Sequence, residues 1–237
     1  MNESRTRDYY DDFASTYEVG RGRGYHALID ELEASSVIPF AAGKRVLEVG
    51  CGTGLVLEKL APHAAHAVGI DLSPGMLEHA RRRGLDVHLG SATQLPFEAE
   101  SFDVVCSFKV LAHVPDIDAA LREVSRVLRP GGVAVLEFYN RASLRYLARL
   151  AAGARRIGRA HREDDISTRW DTAATITKRL PPDLRIERFV GVRIVTPAAI
   201  LYRAPLLGSA LSRAERALSE GRFAKFGGFL IAVARKG

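Results

Sequence analysis

A glycine-rich turn between a short apolar strand and a helix constrains the fold of this chain more than any other feature. The predicted strand covers residues 45–49 (RVLEV), the turn is GCGTG at 50–54, and a helix follows through Leu60. Glycine tolerates the backbone angles of a tight turn, and without a Cβ atom it lets a ligand approach the backbone closely. In open α/β sheets, a turn of this kind at the end of the first strand borders a nucleotide site.

Strands and helices alternate from this turn to residue 140. Further strands are predicted at 66–71, 85–89, 102–108 and 133–139 from their short apolar runs. Between them one helix is predicted with Ser73 as its N-cap, Pro74 at its first position and Gly84 as its end. A second helix, over 117–128, is predicted to end at the turn RPGG. Such alternation requires parallel β-α-β units, so we expect a doubly wound α/β sheet.

The segments on either side of this core are less regular. Two helices are predicted before the first strand, at 4–17 and 25–37. Residues 141–162 contain seven arginines and no acidic residue, and their apolar positions recur at helical spacing. This pattern predicts a basic amphipathic helix with Leu144, Leu147 and Leu150 toward the core. The remaining predictions are a polar stretch at 163–180, a strand at 184–192, a helix at 197–219 and a strand at 227–235.

Charge is divided unevenly along the chain. Residues 1–140 contain 14 basic and 20 acidic residues, whereas residues 141–237 contain 20 basic and 8 acidic residues. This asymmetry indicates either an anionic partner or a compositional bias toward arginine, which supplies 28 of the 34 basic residues. Two cysteines, Cys51 and Cys106, are too few for a disulfide scaffold, and no Cys/His spacing resembles a metal site. Because the sequence has no signal core and no apolar run long enough to span a membrane, we expect a cytoplasmic protein.

An acidic residue, Asp71, stands at the end of the second predicted strand. In open α/β sheets a carboxylate at this place accepts hydrogen bonds from the hydroxyls of a ribose. The turn and the acid together indicate a nucleoside site. The glycine spacing is G-x-G-x-G, whereas dinucleotide-binding enzymes use G-x-G-x-x-G, so a dinucleotide oxidoreductase is the weaker interpretation.

With Glu48 before it, the turn VLEVGCGTG resembles the first motif of the class I S-adenosylmethionine-dependent methyltransferases of the small-molecule type. IDLSPGMLEHAR at 70–81 resembles the second motif of this family, and LPFEAESFDVV at 95–105 resembles its segment leading into strand four. LREVSRVLRPGGVAVLEF at 121–138 resembles its last shared motif. The resemblance, which covers residues 45–140, implies a Rossmann-like sheet of seven strands in the order 3-2-1-4-5-7-6, with only the last strand antiparallel.

The resemblance also implies how the chain is divided. We expect one methyltransferase domain over residues 1–237, with N-terminal helices at 1–43 forming a cap and a cofactor-binding core at 44–140. A variable substrate-side insertion would cover 141–183, and the last two strands and a helix would cover 184–237. In this family the acceptor pocket is built from the N-terminal helices and the insertion.

S-adenosylmethionine is the implied cofactor, and no metal is expected. By resemblance, the backbone at Gly50 and Gly52 would meet the methionine part of the cofactor and Asp71 the ribose. Leu72 and Met76 would meet the face of the adenine. The full set of implied cofactor-binding residues is Tyr17, Glu48, Gly50, Cys51, Gly52, Gly54, Asp71, Leu72, Met76, Ser91, Ala92, Thr93 and Phe108.

Two further expectations concern the ends of the cofactor. Tyr17 resembles tyrosines that cover the methionine end, and Arg21 or Arg23 would pair with the methionine carboxylate. At the adenine end, relatives commonly place a carboxylate that accepts a hydrogen bond from the adenine amino group, but here Ser91 stands in GSATQLPF. A serine hydroxyl is a weaker acceptor because it carries no charge. Other residues that would share the task are Thr93 and Gln94.

Methyl transfer needs little covalent help from a protein, because proximity and in-line orientation supply most of the rate. A general base matters only when the acceptor must lose a proton. His113, in SFKVLAHVPD after strand four, is the candidate catalytic residue, although a histidine at this place is also commonly structural. Lys109 and Tyr139 are weaker candidates. Cys106 lies in an apolar strand and is expected to pack rather than react.

The predicted function is S-adenosylmethionine-dependent methyl transfer to a small-molecule acceptor, with oxygen or nitrogen as the favoured atom. An acidic acceptor would fit the basic segment at 141–162. Two alternatives stay open, an RNA or other nucleic-acid methyltransferase and a non-catalytic cofactor-binding regulator. The basic C-terminal half fits the first, but SFKV after strand four differs from the Asn/Asp-Pro-Pro-aromatic signature of enzymes that methylate base amino groups, and we expect no DNA partner. A non-catalytic regulator would bind the cofactor through the same glycine turn.

Overall fold

A seven-stranded sheet organises the computed structural model of the chain, which describes residues 3–21, 24–152, 156–157, 161–162, 168–196, 202 and 204–237. The strands are β1 Arg45–Val49, β2 His66–Asp71, β3 Asp86–Leu89, β4 Phe102–Ser107, β5 Leu128–Tyr139, β6 Leu184–Val192 and β7 Phe229–Lys236. Their order in the sheet is β3-β2-β1-β4-β5-β7-β6. The first five strands pair in parallel, and β7 is antiparallel to both of its neighbours. The predicted fold class, strand order and antiparallel last strand are confirmed.

Eight α-helices accompany these strands in the described ranges. They are α1 Glu3–Tyr17, α2 Gly24–Ala41, α3 Leu57–Leu60, α4 Pro74–Arg82, α5 Ile117–Val127, α6 Leu144–Ala152, α7 Ala173–Arg179 and α8 Pro205–Leu218. The predicted N-terminal helices are therefore present as α1 and α2. Ser73 caps α4, since its side chain accepts a hydrogen bond from the backbone N–H of Met76. None of the described helices is both long enough and apolar enough to cross a membrane.

The central strands of the sheet are buried on both faces. Leu47 of β1 and Val105 of β4 face one apolar cluster, which includes Leu121 of α5. The adjacent residues Val46 and Val104 point to the opposite cluster, which includes residues of α2. Neighbouring apolar residues in a parallel strand are both buried when helices cover both faces of the sheet. This arrangement explains why the sheet strands read as continuous apolar runs rather than as alternating patterns.

The strand order reverses on the two sides of β1, which pairs with β2 on one side and β4 on the other. Loops that leave the carboxyl ends of these strands therefore diverge, and the crevice between them is the usual ligand site of an open α/β sheet. The glycine turn after β1 lies at this point.

The prediction of one helix over 141–162 was wrong. Helix α6 ends at Ala152, and residues 156–157 pair antiparallel with residues 161–162. Glycines at 153 and 158 in the sequence disfavour a continuous helix, since each costs about 1 kcal/mol relative to alanine in a helix interior. Arg145 and Arg149 lie in α6, whereas Arg156 and Arg162 lie in the paired residues that follow it.

Three other segments differ from the sequence prediction. Helix α7 lies inside the stretch at 163–180 that was predicted only as polar, and a capping box at Thr172 and Thr175 begins it. Strand β5 begins at Leu128, with residues 129–132 forming a bulge between the pairs Phe102–Leu128 and Val104–Val133. Of the helix predicted over 197–219, the described part begins at Pro205, and residues 197–201 and 203 lie outside the described residues.

The third glycine of the turn fixes how α4 and β3 pack against it. Gly54 has a φ of +83°, and a Cβ atom built there would lie 2.4 Å from Cδ1 of Leu85 and 3.2 Å from Cβ of Ala80. Gly84 has a similar φ of +77°, but a Cβ there would have no neighbour within 4 Å. The two glycines share the backbone conformation and differ in the space around them.

We therefore expect Gly54→Ala to destabilise the protein more than Gly84→Ala. Both variants place a side chain in the left-handed region, which costs about 1–2 kcal/mol. Only Gly54→Ala also overpacks the contact with Leu85, which adds about 1–3 kcal/mol. Free energies of unfolding from urea titrations measure the difference, and equal losses for the two variants would contradict this account of the packing.

Candidate functional site

A cavity of about 260 Å³ opens at the carboxyl ends of the parallel strands, at the crevice beside β1. Every parallel strand or the residue after it contributes to the wall, and α1 contributes a face of mostly aromatic side chains. The strand-end residues are Val49, Gly50, Ile70, Asp71, Leu72, Gly90, Ser91, Phe108, Lys109 and Tyr139, and those of α1 are Glu3, Thr6, Tyr9, Tyr10, Phe13 and Tyr17. The cavity thus lies where the sheet topology predicts a ligand.

Backbone hydrogen bonds hold the glycine turn against the end of β2. The N–H groups of Gly50 and Cys51 both donate to the carbonyl oxygen of Ile70, at 2.7 and 3.0 Å. A Cβ at Gly50 would lie 2.2 Å from Cγ2 of Val110, whereas a Cβ at Gly52 would meet no atom within 4 Å. Gly52, with a φ of +53°, is therefore the turn residue whose backbone faces open space.

Asp71 joins the turn to the start of α4. Its Oδ2 accepts a hydrogen bond from the N–H of Gly52 and its Oδ1 accepts one from the N–H of Ser73, both at 2.9 Å. Burial raises the pKa of Asp71, while these two hydrogen bonds act in the opposite direction. Each carboxylate oxygen has two lone-pair sites, so Asp71, which lines the cavity, keeps capacity for two further hydrogen bonds.

Most of the residues predicted from the sequence border this cavity. They are Tyr17, Gly50, Gly52, Asp71, Leu72, Met76, Ser91, Ala92, Phe108 and His113. Glu48 and Cys51 instead line a smaller cavity of about 40 Å³ beneath the glycine turn, which shares Tyr17 and Phe108 with the larger one. Gly54 lines neither and packs against Leu85, and Thr93 donates its backbone N–H to Ser91 Oγ.

The structure describes one of the two arginines that were expected to pair with the methionine carboxylate. The Arg21 guanidinium carbon lies 3.8 Å from the ring centre of Tyr17, and both residues border the larger cavity. Arg23 lies outside the described residues. Cys106 is fully buried in the core, where burial raises the pKa of its thiol, so it packs as predicted.

Carboxylates surround Lys109 beneath the glycine turn. Lys109 Nζ lies 3.0 Å from Asp30 Oδ1 and 2.9 Å from Glu33 Oε2, and its backbone N–H donates to Glu137 Oε1 at 3.1 Å. Glu48 is also buried here, and its Oε2 has no hydrogen-bond partner within the part of the chain that the structure describes. Burial raises the pKa of Glu48 and Glu137 well above the usual range. Burial lowers the pKa of Lys109, but Glu33 and Asp30 outweigh it and raise that pKa well above its usual value.

The opposite end of the cavity is aromatic and basic. The guanidinium carbon of Arg145 lies 4.4 Å from the ring centre of Tyr139, 4.5 Å from that of Phe229 and 5.3 Å from that of Trp170. Arg145 Nη1 is buried and has no hydrogen-bond partner among the described residues. Arg149 also borders the cavity, 5.6 Å from the Trp170 ring centre. This end presents cationic groups held against aromatic rings.

The expectation that the leucines of α6 face the core was wrong. Leu144, Leu147 and Leu150 are 60%, 59% and 63% exposed, while Arg145 and Arg149 turn toward the cavity. The aromatic rings of the cavity wall supply the physical reason, because a guanidinium gains cation–π attraction over such rings. The sequence pattern shows which residues share a face of the helix, but it does not show which face lies against the cavity.

Comparison with known proteins identifies the central part of the chain. Residues 47–136 match the family described as a methyltransferase domain. These residues form a methyltransferase domain. The chain is also 21% identical to an S-adenosylmethionine-dependent methyltransferase from Thermotoga maritima, with a TM-score of 0.72 over 97% of this chain and 99% of that one, which shows the shared fold.

Among sequence relatives, the chain is similar to a ubiquinone biosynthesis enzyme and to a demethylmenaquinone methyltransferase. It is 40% identical over 125 residues to a ubiquinone biosynthesis O-methyltransferase from Xanthomonas oryzae pv. oryzae, covering 50% of this chain and 52% of that protein. It is 40% identical over 102 residues to a demethylmenaquinone methyltransferase from Staphylococcus saprophyticus, covering 40% and 44%. The chain thus spans about half the length of the curated relatives it matches.

Sequence reasoning missed several residues that border the cavity of the methyltransferase domain. Tyr10 and Phe13 lie on the same face of α1 as Tyr17, so their helical spacing with that tyrosine was an available signal. Burial raises the pKa of Tyr10 well above its usual value, so its phenol stays protonated. Trp170 lies between elements in a polar stretch, and nothing in its local sequence indicated a cavity position.

We expect Lys109→Met to destabilise the methyltransferase domain more near pH 8 than near pH 5. Burial raises the pKa values of Glu33, Glu48 and Glu137, so their stabilising contribution is complete below the usual glutamate pKa of 4.5 and is lost as pH rises through the raised values. Removing the Lys109 cation raises those values further. The loss near pH 8 should be about 3–5 kcal/mol, as for other broken buried pairs.

Urea unfolding at several pH values measures this loss, with Lys59→Met as the matched control. Lys59 is an exposed lysine of α3, and its variant should differ from the parent by a small amount that does not change with pH. An equal loss for Lys109→Met at both pH values would show that the carboxylates do not depend on this cation.

Proposed function

We propose that this chain transfers a methyl group from S-adenosylmethionine to a small-molecule acceptor. The observation that carries the proposal is the pair formed by Gly52, whose backbone faces open space, and Asp71, whose carboxylate borders the same cavity. The cofactor is S-adenosylmethionine, in keeping with the methyltransferase domain at 47–136. When bound, it supplies a methyl group already activated by a sulfonium.

The residues present fit this cofactor along the cavity. Asp71 would accept hydrogen bonds from the ribose hydroxyls, and Leu72 and Met76 would pack against the adenine. Glu48 has a buried oxygen without a partner in the described chain, and with Asp30 it borders the smaller cavity beneath the turn. Carboxylates in that place favour a cationic group, so we assign the methionine ammonium to this end.

The remaining site assignments support the same orientation. Gly50, Gly52 and Cys51 would present backbone to the methionine part, with Gly54 packing the turn. Tyr17 and Phe108 border both cavities and would enclose the methionine end. The other assigned positions, at the adenine edge, are Ser91, Ala92 and Thr93.

The acceptor would occupy the part of the cavity bordered by Tyr139, Trp170 and Arg145. Two of the curated relatives are named ubiquinone biosynthesis O-methyltransferase and demethylmenaquinone methyltransferase, which supports an aromatic or quinone-like small molecule. Arg145 has a buried donor without a partner among the described residues, and a buried guanidinium is best satisfied by an anionic group. We therefore propose that the acceptor carries an acidic group.

His113 is the proposed general base. Its ring packs edge-to-face against Tyr139 with 5.4 Å between the ring centres, and it borders the cavity close to the proposed acceptor position. A histidine removes a proton from a phenol or amine near neutral pH, whereas the raised pKa of Tyr10 keeps that residue protonated. We propose that the N-terminal helices and the described part of the segment at 141–183 enclose this chemistry and that residues 1–237 act as a single domain.

We expect calorimetry to detect binding of S-adenosylmethionine and S-adenosylhomocysteine, and none of nicotinamide dinucleotides. Asp71→Asn should weaken binding by about 1.5–3 kcal/mol, or about tenfold to a hundredfold in Kd, because the ribose loses its charged acceptor. Asp103→Asn is the control, since Asp103 also accepts a backbone N–H, that of Arg45, but lies away from the cavity. Dinucleotide binding without S-adenosylmethionine binding would refute the proposed function.

The acidic-acceptor proposal can be tested with protocatechuate and its methyl ester as probes. Transfer of isotope-labelled methyl groups should favour the acid, and Arg145→Gln should raise the KM for the acid about tenfold with little effect on the ester. Added salt should bring the KM values for the acid and the ester closer together, because salt screens the attraction between the arginine and the acid over about 8 Å at physiological ionic strength. The exposed Arg122→Gln serves as the control. Equal KM values for acid and ester in the parent protein would exclude an acidic acceptor.

A further inference from the structure

A carboxylate from the first turn of α1 reaches the loop after β3. Glu3 Oε1 accepts hydrogen bonds from Ser91 Oγ at 2.6 Å and from Thr93 Oγ1 at 3.1 Å. Ser91 Oγ in turn accepts the backbone N–H of Thr93 at 3.0 Å. The two hydroxyls thus hold one specific oxygen of Glu3 at a position that the sequence places 88 residues away.

This carboxylate borders the larger cavity beside Leu72, Met76 and Ser91. A carboxylate offers four lone-pair sites, and the hydroxyls of Ser91 and Thr93 occupy two of them. The same cavity is lined by the buried apolar side chains of Met76 and Ile70, which are 2% and 1% exposed, and by the polar residue Thr6. A ligand group complementary to this wall is flat, apolar on its faces and a hydrogen-bond donor at its edge.

We propose that Glu3 accepts a hydrogen bond from the exocyclic amino group of the cofactor's adenine. This inference rests on the proposed function, because that function puts the adenine between Leu72 and Met76. Glu3 supplies the charge that Ser91 lacks at this edge. The hydroxyls of Ser91 and Thr93 hold the Glu3 carboxylate in place. A hydrogen bond to a charged acceptor is stronger than one to a neutral hydroxyl, so Glu3 determines adenine selectivity.

Two other acidic residues place α1 along the cavity. Asp11 Oδ1 accepts hydrogen bonds from Ser73 Oγ and from the N–H of Gly75 at the start of α4. Glu18 forms an ion pair with Arg83 at 2.8 Å. Because α1 is fixed at its middle and its end by these contacts, Glu3 in its first turn is held over the loop after β3.

The same helix carries the aromatic cover of the cavity, including Tyr10, Phe13 and Tyr17. The proposed adenine contact and the aromatic residues farther along the cavity therefore belong to one helix, which the contacts of Asp11 and Glu18 hold in place.

A double-mutant cycle tests the proposed hydrogen bond. The two ligands are S-adenosylhomocysteine and its analogue with purine in place of adenine, which lacks only the amino group. With the parent protein, removing the amino group should raise Kd about tenfold, as expected for a hydrogen bond to a charged acceptor. With Glu3→Ala, the two ligands should bind within about twofold of each other, since no charged acceptor remains to be lost.

Two further variants control for indirect effects. Asp12→Asn removes a charge from an exposed position of α1, and it should keep the tenfold discrimination between the two ligands. Adding Ser91→Asp to Glu3→Ala restores a carboxylate at the same edge and should restore discrimination. Circular dichroism and thermal unfolding establish that each variant is folded before its Kd values are compared.

The outcomes separate this inference from the proposed function. If the parent protein and Glu3→Ala discriminate equally between the two ligands, or if Asp12→Asn loses as much discrimination as Glu3→Ala, the role of Glu3 is overturned while the proposed function stands. If the parent protein binds neither S-adenosylhomocysteine nor S-adenosylmethionine, the proposed function fails and this inference fails with it.

Discussion

The hydrogen bonds that join the carboxyl ends of β1 and β2 are the constraint on which the rest of the site depends. Gly50 and Cys51 donate to the carbonyl oxygen of Ile70, and Gly52 donates to the carboxylate of Asp71. These bonds leave the backbone of Gly52 facing open space and keep Asp71 at the cavity wall. A side chain at Gly50 would strike Val110, and one at Gly54 would strike Leu85. The glycines therefore fix the cavity through packing as well as through backbone angles.

Clusters of charged side chains lie at both ends of the site. Asp30, Glu33, Glu48 and Glu137 crowd beneath the glycine turn around Lys109, whereas Arg145 and Arg149 lie near the far end against aromatic rings. Both sets of charges are costly to bury, and each is stabilised by groups of the protein. The uneven charge of the two parts of the chain thus appears inside the site, with acids from the first 140 residues at one end and arginines from the remainder at the other. A ligand with a cationic end, meeting a second molecule with an anionic group, is complementary to this division.

Helix α1 contributes to the site although no motif marks it. Its acidic residues bind loops that follow β2 and β3 and the end of α4, and its aromatic residues cover the cavity. None of these contacts is local in sequence, so the function of the helix depends on where the sheet places the loops. The aromatic residues of α1 contact one another along the helix, but they border a cavity only because the folded domain supplies its other walls.

The sequence by itself determined the parallel sheet and the glycine-acid pair, because alternating strands and helices admit few topologies and only glycine fits the turn. The order of the strands came from the resemblance of the motifs to the methyltransferase family. The strand bounds at His66–Asp71 and Leu184–Val192 agree with the predicted ones, and Ser73 caps its helix as predicted. Tertiary structure decided which face of α6 lines the cavity, and the leucines and arginines of this helix have the opposite of their expected positions. Helical periodicity shows which residues share a face, but it carries no information about what packs against that face. Tertiary structure also decided that Glu3 meets Ser91, because a contact between residues so far apart exists only after the sheet has brought their elements together.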